Sequence, residues 1–167
     1  MDDKEFDIVI IGSGAGGGTV AARLAPLARA GKRIAVLERG PKFKDSEFTG
    51  RELDMAERLY ADGGGFLTKD RTMTLAFALA YGGSTVVYTG TSIKIAPRTI
   101  AQWAVPGLDF DDVSRRTDRC AEENGAHLLE QDLVNDNNRL FRDACGRLGW
   151  HAAQFPINVR GCRGSGL

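Results

Sequence analysis

The sequence predicts an α/β fold that begins with a βαβ unit. Three observations support this: an apolar run from Phe6 to Ile11, a glycine-rich segment directly after it, and a second apolar run, RIAVLE, at residues 33–38. A run dominated by Ile and Val is typical of a parallel strand that is buried on both faces. The segment between the two runs is therefore expected to be a helix that makes a right-handed crossover.

The predicted crossover helix carries Val20, Leu24 and Leu27 at helical spacing. Pro26 lies inside this pattern and is expected to kink the helix or to end it one turn early, because proline has no N–H to donate. Gly31 is expected to end the segment before the second strand.

The next segments predict a short helix and then an extended chain. Thr49 and Glu52 fit a capping box that opens a helix running to about Ala61, before the glycines at 63–65. Large and small residues then alternate over 72–81, which favours an extended chain with one bulky and one thin face. The thin face suggests the close approach of another element or of a ligand, and a strand packed under a helix is an equally good interpretation.

The last third of the chain is predicted to be helical. Residues 111–124 and 136–148 each begin with an acidic residue and are followed by a glycine, Gly125 or Gly149. Apolar residues at helical spacing in the second of these helices include Cys145, which is expected in the core, and Cys120 is placed similarly on the preceding helix.

The glycine spacing after the first strand predicts a dinucleotide site in a Rossmann-like domain. Gly12, Gly14 and Gly17 fit the pattern G-x-G-x-x-G, which serves a tight turn, close approach of a diphosphate and close helix packing. Glu38 ends the second strand at the place where a carboxylate accepts hydrogen bonds from ribose hydroxyls. A purely structural glycine turn is the alternative. The residues predicted to hold the diphosphate are Gly12, Ser13, Gly14, Ala15, Gly16 and Gly17.

Composition and charge exclude several classes of partner. The 167 residues carry 22 basic and 22 acidic side chains, and this zero net charge argues against binding to nucleic acid or to an anionic membrane. The start of the chain lacks the features of a secretory signal, and its longest other apolar stretch is too short to cross a bilayer. Three scattered cysteines form no disulfide framework and predict no metal site, so a reducing, cytoplasmic setting is expected.

Longer stretches of the sequence resemble a known family. DIVIIGSGAGGGTVAARLA followed by IAVLERGP is similar to the start of FAD-dependent oxidoreductases, in which the triplet Glu38-Arg39-Gly40 is typical. AYGGSTVVYTGTSIKIAP, at 80–97, resembles the flavin loop of the glucose-methanol-choline (GMC) oxidoreductases. QWAVPGLDFDDV and NDNNRLFRDACGRLGW resemble later stretches of the same family, the second one in its bacterial branch of long-chain alcohol and sugar dehydrogenases.

The resemblance implies a flavoprotein that oxidises the CH–OH group of an alcohol, sugar or sterol-like donor by hydride transfer to flavin N5. Val87 and Tyr88 stand where some relatives carry a histidine or asparagine, so the FAD is expected to be noncovalent. Arg39 is also expected among the cofactor-binding residues. The residues that the resemblance places on the flavin side are Gly82, Gly83, Ser84, Thr89, Gly90 and Thr91. Another FAD or NAD(P) oxidoreductase, and a truncated nucleotide-binding fragment without activity, are the alternatives.

The sequence does not predict a catalytic base, a particular substrate or an electron acceptor. His127 and His151 lie in no recognisable motif, and the catalytic histidine that the family carries near its C-terminus has no counterpart here. We therefore expect an incomplete domain: residues 1–100 as the FAD-binding region and 101–167 as a helical extension toward a substrate domain absent from this chain. The missing C-terminal portion is then its partner. Cys162 is either an iron–sulfur ligand or a buried thiol in a glycine-rich turn.

Overall fold

Helices alternate with short strands along the chain, which confirms the predicted α/β class. The computed structural model describes residues 5–159. The chain divides into two compact units, Met1–Tyr88 and Thr89–Leu167, and the functional boundary expected at residue 100 stays a prediction. In chain order the elements are β1 (Ile8–Ile11), α1 (Ala15–Arg29), β2 (Ile34–Leu37), α2 (Glu52–Leu59), β3 (Phe66–Leu67), β4 (Thr74–Leu75), α3 (Pro97–Trp103), α4 (Phe110–Glu123) and α5 (Asp136–Arg147).

The predicted βαβ unit is present at the start of the first unit. β1 pairs in parallel with β2, with Ile8 opposite Ile34 and Ile11 opposite Leu37, and α1 connects them. The expected burial of the first strand on both faces is wrong. Ile10 is 8% exposed, whereas Ile11 is 87% exposed. Successive strand residues point to opposite faces, and within the described residues the face of Ile11 is left largely uncovered.

The prediction that Pro26 ends α1 one turn early is wrong. The helix continues through Pro26 to Arg29. Proline removes only its own N–H donor, and this loss falls in the last turn of the helix. The Pro26 carbonyl still accepts a hydrogen bond from the Ala30 N–H at 3.0 Å. The helix then ends as expected at Gly31, which has a φ of +96°.

The small core of the first unit lies beneath α2. Met55, Leu59 and Ala80 are buried together there, with partly buried hydrophobic side chains packed around them. The predicted capping box at Thr49 is wrong: α2 begins after Arg51, whose N–H donates to the Thr49 hydroxyl at 3.3 Å. The Thr49 side chain is thus engaged by the loop before the helix and does not cap it.

The alternating segment at 72–81 is extended only in parts. Thr74–Leu75 pairs antiparallel with Phe66–Leu67, and Ala78 forms a bridge with Tyr60. On its thin side Ala80 is 1% exposed and faces the backbone of Gly40. The expected close approach is therefore made by another part of the chain.

The second unit contains the two predicted C-terminal helices. Asp109 caps α4 by accepting from the Asp112 N–H at 3.0 Å, and Asn135 caps α5 by accepting from the Asn138 N–H at 2.9 Å. Gly125 follows α4 and has a positive φ, as does the corresponding glycine after α5. Both helices thus have the ends that the sequence predicts.

The core prediction for the two helical cysteines is half right. Cys145 is buried at 5% exposure, but Cys120 is exposed. Leu140 and Phe141, on the predicted apolar face of α5, are also exposed. Helical periodicity identifies an apolar face, but whether that face is buried depends on what packs against it. Among the helices of the described residues, none is both long enough and apolar enough to cross a membrane.

Candidate dinucleotide-binding site

The turn between β1 and α1 has the geometry that its glycines predict. Gly12 has a φ of +88°, in the left-handed region that favours glycine, and its N–H donates to the Leu37 carbonyl at 2.7 Å. A Cβ placed on Gly17 would lie 1.9 Å from the Gly12 carbonyl oxygen. The first glycine therefore makes the turn, and the third allows α1 to close onto it.

The second glycine stretch packs directly against the first, although the two are far apart in the sequence. The Gly82 N–H donates to the Ser13 hydroxyl at 2.8 Å. A Cβ placed on Gly83 would lie 3.0 Å from Cα of Gly14, so the two backbones are in close contact. The structure thus brings together two predicted parts of the site.

Glu38 joins the same network through both of its carboxylate oxygens. Oε2 accepts from the Ser13 N–H at 2.8 Å and from the Ser13 hydroxyl at 2.7 Å, and Oε1 accepts from the Gly40 N–H at 2.7 Å. The Ser13 hydroxyl gives its single proton to Glu38 and accepts from Gly82 with a lone pair. Ser13 therefore links Glu38 to the second glycine stretch.

These hydrogen bonds stabilise the charged form of Glu38. The Gly40 N–H, followed by the hydroxyl and the N–H of Ser13, lowers the pKa of Glu38 to about 2, from an ordinary value of 4.5. Glu38 is half-buried, so its carboxylate keeps a side open to solvent. The carboxylate is consequently ionised throughout the neutral and mildly acidic range.

The low pKa of Glu38 predicts how the stability of the fold depends on pH. Because the pKa is lower in the folded state, the carboxylate stabilises the fold fully above its ordinary pKa, and this stabilisation is lost as the pH falls toward about 2. The thermal midpoint of Glu38→Gln should lie below that of the wild type at about pH 6, and the gap should narrow by about pH 3.

Other acids with lowered pKa values, such as Asp7 and Asp112, are present in both the wild type and Glu38→Gln. Their titration therefore affects both thermal midpoints and cancels in the gap between them. A gap between the two thermal midpoints that is the same at both pH values would show that Glu38 does not titrate as proposed.

The start of α1 offers backbone donors to an anion. The first-turn N–H groups of a helix have no intrahelical acceptor, and the helix dipole places partial positive charge there. Ala15 and Gly16 are exposed, and the first turn of α1 contains no acidic residue. This helix end therefore has the chemistry that a diphosphate requires.

The remaining predicted residues fall in different places. The Ser84 hydroxyl accepts from the Ala78 N–H at 3.1 Å and so supports the extended segment before it. Thr89 and Thr91 belong to the second unit, where their hydroxyls lie 2.9 Å apart. Gly90 lies between them with a φ of +74°. A Cβ placed on Gly90 would lie 2.6 Å from Cγ2 of Val159. Their place on the flavin side stays a prediction.

The two histidines are both exposed. His127 Nδ1 lies 2.8 Å from the Gly125 carbonyl oxygen, and His151 lines a cavity of about 660 Å³ in the second unit. No group of three or more His, Cys, Asp or Glu side chains between residues 5 and 159 is placed to hold a metal ion. Cys162 lies outside the described residues.

Sequence reasoning did not include Gly40 among the site residues. Its N–H binds Glu38, and a Cβ placed on it would lie 2.3 Å from the Ala80 backbone nitrogen. The glycine of the Glu-Arg-Gly triplet was the available signal. Arg39, which was predicted, lines a cavity of about 350 Å³ together with residues that no motif indicated.

The chain is similar to several known proteins. A family profile described as GMC oxidoreductase matches residues 56–167. The chain is 35% identical over 164 residues to an uncharacterised GMC-type oxidoreductase of Mycobacterium tuberculosis, covering 95% of this chain and 26% of the relative. It is 31% identical over 166 residues to a long-chain-alcohol oxidase of Arabidopsis thaliana, covering 91% of this chain and 20% of that protein.

A shorter match, 42% identical over 57 residues, joins 34% of the chain to 9% of a cholesterol oxidase of Mycobacterium tuberculosis. Among solved structures, pyridoxine 4-oxidase from Mesorbium loti superposes with a TM-score of 0.63 at 19% identity, covering 94% of this chain and 37% of that one. This likeness shows a shared fold.

The chain therefore belongs to the GMC oxidoreductase family. It spans about a quarter of the length of the mycobacterial relative that it matches.

Proposed function

We propose that this chain is the FAD-binding N-terminal part of an oxidoreductase that acts on the CH–OH group of a small-molecule alcohol, sugar or sterol-like donor. The observation that carries the proposal is the convergence of the first glycine turn, Glu38 and the second glycine stretch through Ser13. The names of two relatives, a long-chain-alcohol oxidase and a cholesterol oxidase, favour an alcohol-type donor.

The residues of the site fit the diphosphate of FAD. The exposed N–H groups at the start of α1 supply donors, and no acid in the first turn opposes an anion. The position for a Cβ on Gly14 lies between the two glycine stretches, 3.8 Å from Cα of Gly83 and 3.9 Å from the Gly82 oxygen. A methyl group would therefore fit at Gly14 without overlap. We assign the backbone N–H groups beside Gly14, at the start of α1, to the approaching diphosphate.

Glu38 fits the ribose of the adenosine. An ionised carboxylate has about four lone-pair sites, and three hydrogen bonds from Ser13 and Gly40 use most of them. The remaining capacity is sufficient for one ribose hydroxyl, while the three internal bonds hold the carboxylate in place. FAD would supply the hydride acceptor, and the residues described here would bind and orient it.

The test is a titration of the chain with FAD, carried out on the wild type and on Gly14→Ala. Gly14 has a φ of −65°, which alanine tolerates, and its Cβ makes only ordinary contacts, so the variant should fold with an unchanged thermal midpoint. Its affinity for FAD should fall at least about tenfold, because a side chain at this position hinders the close approach of the diphosphate to the backbone and weakens hydrogen bonds to a charged group.

Gly18→Ala is the matched control, because Gly18 is not one of the three glycines of the G-x-G-x-x-G pattern. Its added Cβ would make only an ordinary contact, 3.7 Å from the Ser13 carbonyl oxygen. It should bind FAD as the wild type does. Equal affinities for the wild type and both variants would remove the start of α1 from the site. Acid precipitation of the FAD-loaded wild type should leave the yellow flavin in the supernatant, since the cofactor is proposed to be noncovalent.

The proposal also assigns different roles to the two parts of the chain. Residues 1–100 would bind FAD, and 101–167 would lead to the substrate domain of a longer protein that works in the cytoplasm. The exposed Ile11 and Leu37 in the first unit, and Leu140 and Phe141 in the second, would be covered by the remainder of that protein. The electron acceptor would engage the complete protein.

A further inference from the structure

The second unit contains a cavity of about 660 Å³, a volume within the range of small-molecule sites. Helix α5 contributes Asn138, Phe141 and Arg142 to its lining, and the segment 151–157 contributes most of the remainder. Apart from Thr91, none of the lining residues is among those predicted to bind FAD. The cavity is therefore a separate candidate site, and the network around Ser13 takes no part in it.

Backbone hydrogen bonds to two other segments fix the end of segment 151–157. The Ile157 N–H donates to the His127 carbonyl at 2.7 Å, and the His127 N–H donates to the Ile157 carbonyl at 2.8 Å. The Ser92 N–H donates to the Pro156 carbonyl at 2.8 Å. This part of the lining therefore has a defined position without a ligand.

Most of the lining side chains are apolar. Val134 and Ile157 supply aliphatic groups, and Phe141 and Phe155 supply aromatic rings. The two phenylalanines are 67% and 62% exposed, so their rings are available for contact with a ligand. A ligand with a hydrocarbon chain would therefore remove apolar surface from water on both partners, which is favourable.

The polar part of the lining offers hydrogen-bond donors and a positive charge. Arg142 Nη1 donates to the Gln131 side-chain oxygen at 2.7 Å, and the Asp143 carboxylate lies 4.0 Å from Arg142 Nε, at the outer limit of an ion pair. The guanidinium thus keeps donors for a ligand. Asn138 and His151 each carry N–H groups as well. Among the residues that the structure describes, no Asp or Glu lines this cavity.

We infer that this cavity binds an amphipathic carboxylate, a ligand with a hydrocarbon chain and one carboxylate group. The chain contacts the rings of Phe141 and Phe155, and the carboxylate accepts hydrogen bonds from Arg142. Arginine is the side chain best suited to a carboxylate, because its planar guanidinium can donate two parallel hydrogen bonds. An alcohol of the same chain length gains the apolar contacts without the charged hydrogen bonds. The inference goes beyond the proposed function and does not rest on FAD binding.

The first experiment is calorimetric titration of the wild-type chain with decanoate and with 1-decanol, each below the concentration at which it aggregates. Decanoate should bind at least about tenfold more tightly, since hydrogen bonds to a charged group are the stronger ones. From octanoate to decanoate to dodecanoate, each pair of added methylenes should raise the affinity by roughly tenfold. Equal affinities for decanoate and 1-decanol would overturn the carboxylate assignment.

The second experiment locates the site with variants of α5. Arg142→Gln should weaken decanoate binding by about tenfold and leave 1-decanol binding unchanged, whereas Arg142→Lys, which keeps the charge, should retain an intermediate affinity for decanoate. Arg147→Gln is the matched control, because Arg147 lies in the last turn of the same helix and does not line the cavity. It should bind decanoate as the wild type does. Thermal midpoints of all variants establish that they fold.

A third variant, Phe155→Ala, tests the apolar part of the lining. Phe155 is largely exposed, so its truncation should leave the fold intact and weaken binding of decanoate and 1-decanol alike. A wild type that does not bind decanoate, or an equal loss of decanoate binding in Arg142→Gln and Arg147→Gln, would overturn the site. A wild type that binds decanoate but not FAD would retain this site and overturn the proposed function alone.

Discussion

Gly17→Ala is expected to be among the most destabilising single substitutions in the first unit. The added Cβ would lie 1.9 Å from the Gly12 carbonyl oxygen and 2.9 Å from its carbonyl carbon. Both atoms are backbone, so no side-chain rotation relieves the overlap, and α1 must move away from the turn. Overpacking typically costs about 1–3 kcal/mol and occasionally more, and overlap with fixed backbone atoms places this variant at the upper end of that range. Thermal unfolding followed by circular dichroism should show a large fall in the midpoint.

Gly16→Ala is the matched control for Gly17→Ala, because it makes the same chemical change one residue earlier in the same helix. A Cβ on Gly16 meets no atom within 4 Å. Alanine is favoured over glycine in helices by up to about 1 kcal/mol, so this variant should be as stable as the wild type or slightly more stable. Similar midpoints for the two variants would mean that α1 does not close onto the turn at Gly17.

The contrast between these glycines explains how much of the fold the sequence could predict. The βαβ unit follows from local requirements, because the φ of Gly12 and the closeness of Gly17 are both fixed within one turn of chain. Helix ends at Gly31 and Gly125 are equally local. Such features depend on a few neighbouring residues, and a single sequence contains all of them.

Burial was less predictable because it depends on residues distant in the sequence. Ile10 and Ile11 are alike as residues in a strand, yet one is buried and the other exposed. Cys120 and Cys145 differ in the same way on two helices. Pro26 shows a related effect, since the cost of a missing N–H depends on where in the helix the residue falls.

The candidate site was predicted as separate pieces, and the structure supplies the contacts between them. Glu38 was expected to face the ribose, but its hydrogen bonds to Ser13 and Gly40 were not foreseen. The bond from Gly82 to Ser13 joins residues 69 positions apart, a distance over which no motif specifies a contact. The sequence therefore indicated which residues take part, and tertiary structure determined how they are linked.

Gly40→Ala is the second substitution with a large expected effect, because Gly40 lies where these pieces meet. Its Cβ would lie 2.3 Å from the Ala80 nitrogen, 2.4 Å from the Ala80 Cα and 2.6 Å from the Leu79 carbonyl carbon. These atoms are backbone at the edge of the small core and cannot rotate away. We therefore expect the free energy of unfolding to fall by about 3 kcal/mol, the upper end of the usual range for overpacking.

Gly40→Ala should also disturb the candidate dinucleotide-binding site. The displaced segment leads to Gly82, and the Gly40 N–H is the largest contribution to the low pKa of Glu38. We therefore expect FAD affinity to fall together with the thermal midpoint, and the pKa of Glu38 to rise toward its ordinary value. Gly18→Ala, whose Cβ makes only an ordinary contact at 3.7 Å, is the control in the same unit. A Gly40→Ala chain with the midpoint and FAD affinity of that control would show that Gly40 and Ala80 are not in close contact, because a true contact at this distance leaves no room for a methyl group.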